Sequence, residues 1–299
     1  LARRGHTFYL SALTGGAHYL SASIRNSWNG PHHESFSIGG SMVEIPNRLY
    51  KFDELGERFH YRFGRWFGRN GRAAATLEYR RVSGLMPNWL PPGTAGTAFE
   101  DRMVAVRLRL GSDTSDPWAV PRLGHWSSIT LEQCVDLLGG TFSGGKARGL
   151  TVRSIGLGRQ VALAGYGLLV AQWGDIPFWR TITLGGMNSV RGFGLGNWLV
   201  NRRWEISAEC RWYFLPMRII DLGFLGDQIV GASFTLFTDT GMGYGIRRGP
   251  GPAYGRTPLL LSGGAGLYLH NALLGTIRLE VAWPEGFGPR WGFGLGMKF

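Results

Sequence analysis

The amino-acid sequence predicts an all-β chain, a transmembrane antiparallel β-barrel of about 14 strands (roughly 12–16). Three observations predict it. In the C-terminal third, large apolar residues alternate with charged or small ones in segment after segment, with no helical segment between them. The alternation runs for about ten residues at a time, the length a tilted strand needs to cross a bilayer. Glycine (48 residues) and tryptophan (12 residues) are both abundant. Glycine breaks helices and suits tight turns and crowded interiors, and tryptophan suits the membrane–water interface.

In chain order, two short strands are expected near 6–14 and 17–28. Strands near 34–45, 58–67, 72–83, 101–111, 125–136, 147–158 and 160–173 follow. Gly68-Arg69-Asn70-Gly71 reads as a tight turn, and 112–124 as a connector rich in turn formers. The last five strands are the clearest. Ile206, Ala208, Cys210, Trp212 and Phe214 alternate with Ser207, Glu209, Arg211 and Tyr213. Phe234 and Leu236 alternate with Ser233, Thr235 and Phe237, and Leu267 and Leu269 with Gly266, Tyr268 and His270. Leu279 and Val281 alternate with Arg278 and Glu280, and Trp291, Phe293 and Leu295 with Gly292, Gly294 and Gly296. Trp212, Phe234, Leu236, Leu267, Leu279, Val281, Phe293 and Leu295 are therefore the expected lipid face. Segments 46–57, 84–99, 137–146 and 246–258 read as outer loops, and 174–202 as the longest. No 20–50-residue repeat and no linker breaks the chain, so a single domain over 1–299 is expected.

Composition limits the function classes. Hydrophobic residues make up 44% and charged residues 17%, and no run of about 18 apolar residues exists, which excludes a spanning helix. The net charge of +12 has nucleic acid as one reading. However, Arg62, Arg65, Arg80, Arg107, Arg109, Arg153, Arg211 and Arg278 are spread singly along alternating segments. That pattern suits a basic lumen or anionic lipid head groups, and no nucleic-acid partner is expected. Cys134 and Cys210 make neither a disulfide framework nor a metal site, and Cys210 reads as a small hydrophobe on an apolar face. His32-His33-Glu34 is the tightest titratable cluster, but adjacent strand histidines point to opposite faces, so a solvated turn is the reading. Gly192-Phe193-Gly194-Leu195-Gly196 lacks the strand-to-helix context of a nucleotide loop. No enzyme activity, metal or cofactor is expected.

The most informative stretch is Gly185-Gly186-Met187-Asn188-Ser189-Val190-Arg191-Gly192-Phe193. An arginine in a glycine-rich loop needs an anionic partner if it leaves water. Glu209 and Asp239, on the strands that follow, are candidates. Phe237 and Asp239 share a face by the period of two, so one can pack the loop while the other accepts hydrogen bonds.

Val190-Arg191-Gly192-Phe193 resembles the Val-Arg-Gly-Phe/Tyr signature of the outer-membrane assembly and secretion barrels. That family includes the barrel-assembly translocases, the mitochondrial sorting-and-assembly barrel and the two-partner secretion transporters. Phe237-Thr238-Asp239-Thr240-Gly241 resembles its Phe-x-Asp-x-Gly strand motif, and Glu209 stands where the intervening strand carries an inward glutamate. Asp116-Pro117 through Pro121 and Gly124 resembles a turn of the family, and Phe299 its aromatic end. The resemblance covers about 112–299. It implies a bacterial outer-membrane location, an outer loop folded inward, and a loop lock in which Arg191, Gly192 and Phe193 meet Glu209, Phe237, Asp239 and Gly241. It also implies insertion or export of polypeptides, or a reduced relative without that activity. A passive channel or structural barrel is the alternative. Outer-membrane lipids and lipopolysaccharide, unfolded client polypeptides and accessory or oligomeric partners are the implied partners. The family's translocases carry periplasmic capture modules before the barrel; here the strand pattern starts at once, and a barrel without them is expected. In a gating barrel the first and last strands separate, and Gly292, Gly294, Gly296 and Phe299 would line that seam. Those glycines could equally make room for the inward loop.

Overall fold

The computed structural model describes residues 6–13, 18–29, 34–47, 52–86, 96–115, 123–135, 137, 139–194, 198–221, 227–247, 254–271 and 275–296. Most of them are strand. Alternating sequences commit to extended backbone because one face then becomes wholly apolar. The strands are β1 His6–Leu13, β2 His18–Asn29, β3 Glu34–Asn47, β4 Phe52–Phe67, β5 Gly71–Leu85 and β6 Ala98–Asp113. They continue as β7 Gly124–Val135, β8 Gly145–Leu157, β9 Val161–Trp173, β10 Ile182–Leu184, β11 Trp198–Asp221 and β12 Asp227–Arg247. The last are β13 Tyr254–Arg256, β14 Leu260–Asn271, β15 Gly275–Pro284 and β16 Arg290–Leu295. Among the described residues, no helix is long and apolar enough to cross a membrane.

All sixteen belong to one sheet. Fourteen follow one another as hydrogen-bonded neighbours in chain order, and two short strands lie off that path, β10 on β11 and β13 on β12. The fourteen-strand expectation matches this path. The differences lie at strand ends. β4 begins inside the expected 46–57 loop, and β11 and β12 reach into the expected 174–202 and 246–258 loops. The extra residues Trp198–Val200 carry no polar–apolar alternation, because both their neighbours and the loop bury them.

The chain divides into two compact units. One comprises 1–112, 128–148 and 171–181, and the other 113–127, 149–170 and 182–299. In the second unit, every residue expected on the lipid face except Val281 is among the exposed large hydrophobics; Val281 is half-buried. Cys210 lies on this exposed face and Cys134 is buried. Of the singly spaced arginines, Arg211 and Arg278 are buried on the opposite, polar face. Arg65 and Arg153 lie on the exposed face, one residue out of step with Gly64 and Ser154, which are buried. His32, His33, Phe299 and the 116–121 turn lie outside the described residues.

Candidate functional site

The alternation that turns Trp212 and Phe234 outward turns Glu205, Ser207, Glu209 and Arg211 of β11 the other way, together with Thr235, Phe237 and Asp239 of β12. Register then fixes who sits beside whom. Ser207 faces Asp239, and Glu209 faces Phe237, which in turn faces Gly264 of β14. On the next rungs, Gly266 faces Glu280 and Tyr268 faces Arg278 of β15. Three carboxylates thus rise from one patch of wall.

The loop between β10 and β11 comes down onto that patch. Arg191, 1% exposed, makes a two-pronged pair with Asp239: Nε donates to Oδ2 at 2.7 Å and Nη2 to Oδ1 at 2.8 Å. Its backbone N–H adds a third bond to Oδ2 at 3.0 Å. Nη1 donates to Glu209 Oε1 at 2.8 Å, Tyr268 Oη at 3.0 Å and Glu280 Oε1 at 3.1 Å. The guanidinium lies 3.5 Å from the centroid of the Phe237 ring. Only a flat fork can bond three ways in its plane and stack on a ring at once, so lysine could not replace it. Burial works against the Arg191 charge, but Asp239 and Glu209 outweigh that cost and raise its pKa well above the ordinary arginine value.

The wall carboxylates have further partners. Ser207 Oγ donates to Asp239 at 2.6 Å, and Arg211 Nε to Glu209 at 2.9 Å. Tyr268 Oη donates to Glu280 at 2.5 Å, and Arg278 Nη1 lies 3.7 Å from it. Arg191, Arg211 and Arg278 therefore face Asp239, Glu209 and Glu280 as three charges against three. That balance of charge is what makes a buried cluster tolerable. Arg278 Nη2 also donates to loop residue Asn188 at 2.8 Å, and the Ser189 hydroxyl donates to Glu205.

Small residues let the loop backbone reach the wall. Gly192 has φ +84°, and a Cβ there would lie 2.9 Å from Pro284 and 3.1 Å from Ala282. A Cβ on Gly241 would meet Val190 at 2.9 Å and the Trp204 carbonyl at 3.0 Å. Phe193 stacks edge-on against Trp198 and Phe287, both at 6.0 Å. With Val190 it enters a buried apolar cluster that includes Leu150, Leu168, Val170 and Leu260. Gly192→Ala is expected to cost about 1–2 kcal/mol through left-handed backbone alone, with the Pro284 clash added. Urea titration of the folded protein measures it, and a cost below that of an exposed glycine such as Gly286 would contradict this account.

Every residue expected in the lock is in the arrangement: Arg191, Gly192, Phe193, Glu209, Phe237, Asp239 and Gly241. Glu280, Tyr268, Arg211, Arg278 and Ser207 complete it, although sequence reading left them on the polar face without a role. The signal was present, since alternation already put all five on the face of Asp239. What was missing was the register that brings β14 and β15 level with it. The apolar cluster was also missed. Its signal is β9, where Leu163 and Leu169 on one face and Tyr166, Leu168 and Val170 on the other are all apolar. Gly292 and Gly294 make room for the loop: a Cβ on either would lie 3.0–3.1 Å from Met187 Cε. Among the described residues, no group of His, Cys, Asp or Glu is arranged to hold a metal ion.

An antiparallel sheet with an apolar outer face and an inner wall that clamps a returning loop defines an outer-membrane β-barrel. The Omp85 superfamily domain matches residues 47–299, and the chain belongs to that superfamily. It is a bacterial outer-membrane protein. Among solved structures it is similar to BamA from Haemophilus ducreyi lacking POTRA domains 1–3, with TM-score 0.71 and 14% identity over 98% of this chain and 63% of that one. It is also similar to CdiB from Escherichia coli, with TM-score 0.54 and 13% identity over 93% of this chain and 51% of that one. The chain thus spans between half and two thirds of these relatives. At such identities the likeness concerns the fold. No curated protein matches the sequence.

Proposed function

We propose that this barrel inserts or exports polypeptides at the outer membrane, with unfolded client chains, surrounding lipid and lipopolysaccharide as its partners, and that it is not an enzyme. The supporting observation is the Arg191 clamp itself. A loop fixed inside a barrel by six hydrogen bonds from one arginine is costly to bury, and it is set on the wall beside the last strand. Met187, on the same loop as Arg191, packs over Gly292 and Gly294 of β16. Loop position and the packing of that strand are therefore linked. On this reading Gly292, Gly294, Gly296 and Phe299 belong to a lateral seam that opens to pass a client. A disulfide engineered between β16 and β1 is the test, with the cross-linked protein reconstituted in liposomes alongside its reduced form. Membrane insertion of an unfolded small outer-membrane barrel, read by protease protection, is expected only after reduction. Equal insertion in both forms would end the translocase reading.

One observation favours a passive channel instead. In the first unit, Arg25, Arg62 and Arg72 lie on the polar face, and among the described residues none pairs with a carboxylate. A lumen with surplus positive charge passes anions preferentially. That channel would show an anion-selective reversal potential in a planar bilayer, shifted towards zero by Arg62→Gln with Arg72→Gln. A cation-selective pore would exclude it.

A further inference from the structure

The whole 174–202 connection, of which the inward loop is the part after β10, carries a second arginine contact ahead of the signature motif. A single 3-10 turn, Phe178–Arg180, follows β9. Trp179 is buried and its Nε1 donates to Asp101 Oδ2 of β6 at 2.7 Å. Arg80 of β5 lies over the Trp179 ring at 4.6 Å while pairing with Glu54 at 2.5 Å. Arg180 Nη2 donates to Glu132 Oε1 of β7 at 2.5 Å, and its Nη1 lies 3.6 Å from Glu78 Oε1 of β5. Phe178 stacks edge-on against Phe99 at 5.2 Å, and Gln172 Nε2 holds the Arg180 carbonyl at 2.9 Å. All of these residues fall in the first unit, whereas the Arg191 clamp falls in the second.

The two contacts differ in charge balance. Glu78 also pairs with Arg58 at 2.8 Å and Arg107 at 3.3 Å, and Glu132 with Arg107 at 2.6 Å. Three guanidinium groups share two carboxylates, so Arg180 is the surplus cation. When it leaves, both carboxylates keep a partner. Arg191 has no such substitute: its departure leaves three buried carboxylates facing two arginines. An uncompensated buried charge is the expensive outcome, and only the Arg191 end incurs it. The Arg180 side chain is also 14% exposed against 1% for Arg191, so water can replace its bonds.

We propose that Trp179 and Arg180 form a second, releasable anchor of the inward loop, and that the loop opens from this end while the Arg191 end stays seated. The proposal concerns the loop alone and stands whether or not the barrel moves polypeptide. Single cysteines report on the two ends in a Cys134→Ser, Cys210→Ser background. Ile176→Cys lies beside the anchor, against Gly144, and Met187→Cys lies over Gly292 and Gly294. Labelling of the folded, membrane-embedded protein by a hydrophilic maleimide is then timed. Removing one charged bond shifts a local opening equilibrium by about tenfold or more. Trp179→Phe with Arg180→Gln should therefore speed labelling at position 176 by about that factor. Labelling at 187 should stay within twofold, as should the folded yield. Arg180→Lys should fall between, since it keeps the charge and loses the fork. If the double variant does not fold, Trp179→Phe alone is read. That variant keeps the ring under Arg80, loses only the bond to Asp101, and must still speed labelling at 176. No change at 176, or an equal rise at 176 and 187, would overturn the proposal.

Discussion

Arg191→Ala should destabilise the folded barrel by about 3–5 kcal/mol, the usual cost of removing one partner from a buried charge cluster. Arg191→Lys should cost less, because the ammonium keeps the charge balance of the cluster. It cannot keep the two-pronged pair with Asp239 at 2.7 and 2.8 Å or the stacking on Phe237, so it should not match the wild type. The partners should rank by how much each depends on Arg191. Asp239 takes three of its bonds, and Ser207 donates to it as well. Glu209 takes one and keeps Arg211, and Glu280 takes the longest and keeps Tyr268. Asp239→Asn should therefore cost most and Glu280→Gln least. Heat-modifiability on a gel, folded yield and urea midpoints measure this series. Unchanged values in Arg191→Ala, or Glu280→Gln costing more than Asp239→Asn, would refute this account of the cluster.

The legible part of this site was whatever period two and local spacing encode. Arg191, Asp239, Phe237 and Glu209 could be read because glycines mark the loop and because alternation puts the acidic and aromatic partners on one face. Tyr268 and Glu280 were not, because their place beside Arg191 depends on the stagger between β12, β14 and β15. Stagger is set by cross-strand pairing, which runs without a register shift from β12 through β14 to β15. The same limit hid the Arg180 anchor. Glu132 stands 48 residues from Arg180 and Asp101 78 from Trp179, Glu78 is farther still, and no short motif ties them together. Strand ends were misread where burial on both faces erased alternation, as at Trp198–Val200. The seam glycines illustrate a different ambiguity: a bare face in sequence does not say what occupies it, and at Gly292 and Gly294 the occupant is Met187.

The apolar face of β14–β16 should reject charge in a depth-dependent way. Leu279 sits mid-strand in β15, 48% exposed, on one rung with Leu267 and Phe293. An arginine at the bilayer midplane of a barrel costs about 2–4 kcal/mol, falling to roughly 0–1 kcal/mol near the interfaces. Leu279→Arg should therefore sharply lower the folded yield in lipid. Leu261→Arg should be much milder: Leu261 is on the same exposed face but lies at the start of β14, where its side chain can snorkel to the head groups. Leucine is replaced in both cases, so the lost apolar area is similar and depth is the variable. Arg278, the sequence neighbour of Leu279, is not a neutral comparison, because it is buried and holds Asn188 of the loop. Folding into vesicles of matched thickness, followed by gel shift and urea titration, separates the two. Equal tolerance at Leu279 and Leu261 would mean that this face does not meet the hydrocarbon. A graded response would place the midplane near the Leu267–Leu279–Phe293 rung, which is level with the Arg278 rung that supports the loop from within.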